Sequence, residues 1–182
     1  MRVARGATIG LVLQDDRDPA GWVLKALREA GNSVMSELYG LDEDVLCRRP
    51  GDDEWCLKEI AAHLRDAEDL ALRQLTAIAE RNTKPLPFWD IDVLPLERDY
   101  RSADLAGVLA EFRRLRRETT SLLWTLTDSD WNRSGRHPYR GDLSIEQIAR
   151  EQAQHDLEHL WQARRLKREL GAPVRAAEDD WS

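Results

Sequence analysis

Apolar residues recur at steps of three and four along four stretches of the chain, the spacing that keeps side chains on one buried face of an α-helix. In the first stretch Ala20, Leu24, Leu27, Gly31, Val34 and Leu38 follow the helix-start pair Asp18 and Pro19, and Gly40 supplies a stop. The second runs behind Trp55 through Leu57, Ile60, Leu64, Ala67, Ala71, Gln74 and Ile78, ending near Asn82. The third, with Ser102 as N-cap, holds Leu105, Val108, Phe112, Leu115, Thr119, Leu122 and Leu126. The fourth opens on a Ser144/Gln147 capping box, carries Ile145, Ile148, Gln152, His155, His159, Gln162 and Leu166, and stops at Gly171 and Pro173. Helices are thus expected over about 18–39, 57–82, 102–127 and 144–170. Thr83 to Tyr100, with Pro85, Pro87 and Pro95, predicts a long ordered crossover packed over one end of the bundle. Asp128 to Asp142 predicts a loop, and 174–182 a flexible tail. No stretch shows strand alternation and none repeats, so the expected fold is all-α, a four-helix bundle with a long crossover connection, in one domain spanning 1–182.

The fourth seam departs from the other three. Gln152, His155, His159 and Gln162 occupy positions that a bundle helix normally gives to Leu or Ile. Burying polar groups without partners costs on the order of 1 to 3 kcal/mol each, so these four inward positions call for something in the core that interacts with them. A metal ion is the simplest candidate. His155 and His159 stand about one turn apart, and zinc bonds of about 2.0 to 2.1 Å need ligand nitrogens only about 3.3 Å from each other, which two tilted rings can meet. Histidine pairs at this spacing also occur on exposed helices, so the spacing alone leaves both readings open.

His63, in the middle of the second helix and next to the seam, is the candidate third ligand; its alternative is a satisfied packing residue. Three imidazoles with an open position would make a catalytic rather than a closed structural site. Glu151, one turn before His155, is either an alternative ligand and proton acceptor or a solvent-facing carboxylate. Gln152 and Gln162 are candidates to orient a bound group, while Asp156 and Glu158 flank the histidines on other faces and either one is a candidate to orient an imidazole. His137, between glycine and proline in a loop, is expected to be exposed.

Charge narrows the partners. Lys plus Arg total 27 against 34 Asp plus Glu, a net charge of -7 over 182 residues, with basic residues interleaved among acids. The densest basic run, Arg113, Arg114, Arg116 and Arg117, lies beside Glu111 and Glu118 and reads as a solvated helix face, so no nucleic-acid footprint is expected. Two cysteines, Cys47 and Cys56, make neither a disulfide framework nor a zinc knuckle. The apolar stretch Ala7 to Leu13 is too short for a membrane span of roughly 18 residues and lacks a convincing cleavage site. A cytoplasmic protein without a membrane partner is expected.

Two stretches carry a family resemblance. Glu54-Trp55-Cys56-Leu57-Lys58-Glu59-Ile60-Ala61-Ala62-His63-Leu64, followed by Asp66 and Glu68, resembles a tryptophan-led second helix with a ligand histidine. The run from Trp131 through Gly141 into Gln154-His155-Asp156-Leu157-Glu158-His159-Leu160 resembles a last loop and a helix with two ligand histidines. Together, over about Trp22 to Leu170, they identify the chain as resembling the DinB-like (damage-inducible) superfamily of metal-binding four-helix bundles. The resemblance implies an up-down-down-up bundle, often a homodimer, with His63, His155 and His159 as the metal triad. It implies one divalent transition metal, zinc or nickel foremost, and either a low-molecular-weight thiol cosubstrate or water activated for transfer to, or hydrolysis of, a small-molecule substrate. Some relatives use a Glu for one histidine, which keeps Glu151 in view; Cys56 departs from the Ser common in the family. The alternatives are a non-catalytic metal-binding stress-response protein and a metal-free structural bundle.

Overall fold

In the computed structural model, residues 19–51, 54–91 and 93–175 are described, the side chains of 19, 95 and 96 excepted. Four long helices form the frame: α1 (Pro19–Leu38), α3 (Leu57–Ala79), α5 (Leu105–Trp124) and α7 (Ile145–Glu169). Shorter elements lie between them: α2 (Glu43–Cys47), α4 (Leu94–Glu97), a 3-10 turn (Tyr100–Ser102), α6 (Asp128–Trp131), and the strands β1 (Ser134–His137) and β2 (Gly141–Ser144). Each long helix buries most of the seam its sequence spacing marks out, α5 for example burying Val108, Phe112, Leu115 and Thr119, while His155, His159 and Gln162 of α7 are half-buried. The stops also match: Gly40 and Gly171 take φ values of 77° and 69°, the left-handed conformation that ends a helix at little cost for glycine.

Helix directions follow from which ends share a core. One apolar cluster joins the C-terminal half of α1 (Val34, Leu38), the N-terminal halves of α3 (Leu57, Ile60, Leu64) and α5 (Val108, Phe112), and the C-terminal half of α7 (Leu160, Leu166). The other joins the opposite halves: Val23 and Leu27, Leu75 and Ile78, Leu123, and Ile145 and Ile148. The bundle is therefore up-down-down-up, with α3 and α5 parallel. Parallel neighbours need a connection as long as the bundle, and 83–104 supplies it. It does not cap an end, as its prolines suggested, but runs along the flank of α3. Leu86 packs beside Ile78 in one cluster and Tyr100 in the other, while Gln74 Nε2 donates to the carbonyl of Pro87 at 2.9 Å. Tyr100 and Arg98 both donate to Asp66 of α3 and pin the far end of the crossover.

Three local expectations need correction. The 128–142 loop contains a helical turn and an antiparallel hairpin, Ser134 pairing Ser144 and His137 pairing Gly141. Its strands of four residues each are too short to show alternation in sequence. Helix α5 begins three residues after Ser102: Asp104 is its N-cap, accepting from the N–H groups of Ala106 and Gly107, while Ser102 sits in the preceding 3-10 turn. Arg116 is buried rather than solvated. The Asp18 start, the apolar stretch 7–13 and most of the 174–182 tail lie outside the described residues.

Candidate metal centre

Helix α3 begins at a capping box in which Glu59 Oε2 accepts from the Cys56 N–H at 2.8 Å and the Cys56 side chain faces the Glu59 N–H. Cys56 is fully buried and burial pushes its thiol up to about 11, so it behaves as an inert cap rather than a nucleophile. This start fixes the rotation of α3 and turns His63, 1% exposed, toward α7. There its Nε2 lies 3.0 Å from His155 Nε2, which in turn lies 3.1 Å from His159 Nε2. Each of the three histidines offers a ligand atom, and these atoms lie within 4.8 Å of one another. The two separations from His155 Nε2, near 3 Å, are close to the edge of a zinc-type tetrahedron, about 3.3 Å.

The electrostatics suit coordination. Burial lowers His63 to about 4, with His159 as the second cause, and lowers His155 to about 3, with His159, His63 and Arg116 adding to burial. Both rings are neutral at pH 7, the form that binds a metal. Gln162 Oε1 lies 2.7 Å from His159 Nδ1; the amide oxygen accepts, so the proton sits on Nδ1 and Nε2 presents its lone pair to the centre. The Nδ1 atoms of His63 and His155 are buried without an aligned hydrogen-bond partner, although the backbone of Ile91 lies near enough to His63 to favour its protonated form. Trp55 covers one side, its ring 4.8 Å from His63 edge-on and 6.0 Å from His159 in parallel. On another side His155 lines an open hollow of about 450 Å³ shared with Trp22, Arg150, Glu151, Gln154 and Glu158.

The remaining sequence candidates fall elsewhere. Glu151 lines the hollow, but both its carboxylate oxygens are held by Arg140, at 2.9 and 2.6 Å. Gln152 is buried and donates to Asp156 Oδ1 at 3.3 Å. His137 is 5% exposed, not solvated: the hairpin buries it, and its Nδ1 accepts from the N–H groups of Tyr139 and Arg140. What the sequence hid lies beneath the histidines, where Asp156 and Glu68 are fully buried against Arg116. The readable signal was Thr119 and Gln152, polar residues in the α5 and α7 seams that meet this layer.

The family model of the DinB superfamily matches residues 26–163. YuaE of Bacillus subtilis (strain 168), itself described as uncharacterized, is 24% identical over 163 residues, covering 81% of this chain and 98% of its own. Among solved structures, YfiT from Bacillus subtilis superposes with a TM-score of 0.78 at 20% identity, covering 94% of this chain and 95% of its own. It is described as a probable metal-dependent hydrolase with an unusual four-helix bundle topology. The four-helix bundle protein TT2238 gives a TM-score of 0.59 at 20% identity over 79% of this chain and 96% of its own. At these identities the superpositions establish the fold.

Proposed function

Since the chain belongs to the DinB superfamily, we propose that it is a metal-dependent enzyme whose centre is His63, His155 and His159, acting by hydrolysis or by transfer of a low-molecular-weight thiol. The observation that carries this reading is the convergence of three imidazoles beside an open hollow. A divalent ion held by His63, His155 and His159 would lower the pKa of a bound water or thiol and so supply a nucleophile at neutral pH. Zinc and nickel both suit three imidazoles, and the description of YfiT as a probable metal-dependent hydrolase favours water as the activated group.

The protein's own residues do the rest. Gln162 holds His159 in the tautomer that donates its Nε2 lone pair. Trp55 shields the His63 and His159 rings from solvent, leaving His155 as the edge that faces the hollow. There Arg150 and Trp22, stacked as cation and ring at 5.5 Å, and the carboxylate of Glu151 form the surface that a small-molecule substrate meets. For Glu151 to take a proton it must first leave Arg140, so its part as a base requires substrate to displace that pair.

The test is turnover. Protein loaded with zinc or nickel is assayed for ester and amide hydrolysis and for thiol transfer to an electrophile, beside His159→Ala. Metal-requiring turnover that the variant lacks supports the reading. A loaded protein inert in both assays favours a metal that only staples the bundle.

A further inference from the structure

The core of this bundle is not continuous. Between its two apolar clusters lies a layer of buried charge drawn from three helices. Arg116 of α5 places Nη2 2.7 Å from Glu68 Oε2 on α3 and 2.6 Å from Asp156 Oδ2 on α7, and Nη1 donates to the carbonyl of Leu27 on α1. Thr119 donates to the second Glu68 oxygen at 2.6 Å, and Gln152 to the second Asp156 oxygen at 3.3 Å. Gly31 makes the room: a Cβ there would stand 3.2 Å from Arg116 Nη1.

Fold stability alone gives little reason to keep this arrangement. Two fully buried carboxyl groups share one guanidinium. Apolar residues of similar volume often replace such a buried network without loss, or with a gain in stability. Its placement is more telling. Asp156 directly follows His155, and Glu68 lies five residues beyond His63 on the same helix. Arg116 thus ties together the two helices that carry all three histidines, from a helix that contributes none.

From this geometry we propose that Glu68, Arg116 and Asp156 are a positioning unit for the three-histidine centre. Arg116 sets the separation and rotation of α3 and α7 at which His63 meets His155 and His159. The inference rests on the metal-centre reading and extends it to residues that touch neither ion nor substrate.

Asp156→Asn and Glu68→Gln test it, since each keeps the side-chain shape and leaves Arg116 with one carboxylate. Zinc and cobalt affinity is measured by competition with a chelating dye, the cobalt absorption spectrum reads ligand geometry, and urea unfolding reads the metal-free fold. Affinity is expected to fall roughly 10- to 100-fold in each variant, beyond what any shift in the urea midpoint of the metal-free fold accounts for. Glu37→Gln is the control: Glu37 is a buried ion-pair partner of Lys167, eight residues beyond His159, and its loss should lower the urea midpoint and leave affinity alone. Unchanged affinity in Asp156→Asn and Glu68→Gln, or an equal drop in Glu37→Gln, would overturn the positioning role. Failure of the wild-type protein to take up either ion would overturn the metal-centre reading, and this inference with it.

Discussion

His159 Nδ1 and Gln162 Oε1 lie 2.7 Å apart across one turn of α7, and this contact gives His159 a defined tautomer. The metal affinity of the centre should depend on it. Gln162→Met keeps the length of the side chain and removes the amide acceptor, leaving the ring free to present the wrong nitrogen. Competition with a chelating dye should show affinity lowered roughly 10-fold, with urea stability within about 0.5 kcal/mol of wild type. Unaltered affinity would show that Gln162 packs without orienting.

Trp55 makes the centre optically visible. Its ring stands within 6.0 Å of both His63 and His159, so a paramagnetic ion held between them should quench it strongly. Copper titration should quench part of the tryptophan emission in the wild-type protein, and Trp55→Phe should lose that part alone. Equal quenching in both would place copper elsewhere.

How far the sequence revealed this site depended on which contacts are local. The three-and-four spacing exposed all four long helices because each seam lies within one segment, and the polar stripe on α7 marked the histidines for the same reason. The buried charges were not legible. Arg116 follows the seam residue Leu115 in a run of arginines, and a seam-edge arginine reads as solvated until Glu68 and Asp156 from two other helices are seen to meet it. His137 was misjudged likewise, because only a hairpin of four-residue strands buries it.

Gly31 tests whether the charged layer is rigid. Alanine is the better helix former by about 1 kcal/mol, yet its Cβ would press on Arg116 Nη1 at 3.2 Å and on the Phe112 ring at 3.5 Å. Overpacking of about 1 to 3 kcal/mol should win, since Arg116 is held on three sides. Urea unfolding of Gly31→Ala should show a net loss near 1 kcal/mol, and a gain would mean that the guanidinium moves aside freely.

The hairpin should respond to acid through His137. Its Nδ1 must stay unprotonated to accept from the Tyr139 and Arg140 N–H groups, and burial, then Arg140, lower its pKa below the ordinary 6.5. With the folded value below the unfolded one, this contribution is complete above about pH 6.5 and is lost progressively as pH falls below it. In an NMR titration the Tyr139 and Arg140 amide signals should move together with the His137 ring, at a midpoint under 6.5. Amides that ignore the ring's titration would contradict this account of the turn.

The central claim is that His63, His155 and His159 hold a metal ion, and elemental analysis of protein purified without an affinity tag tests it most directly, beside a His155→Ala, His159→Ala double variant. The account predicts about one equivalent of a transition metal per chain in the wild-type protein and none in the variant. A wild-type protein that stays metal-free even after soaking with zinc or nickel would contradict it, leaving a bundle whose three histidines only satisfy one another.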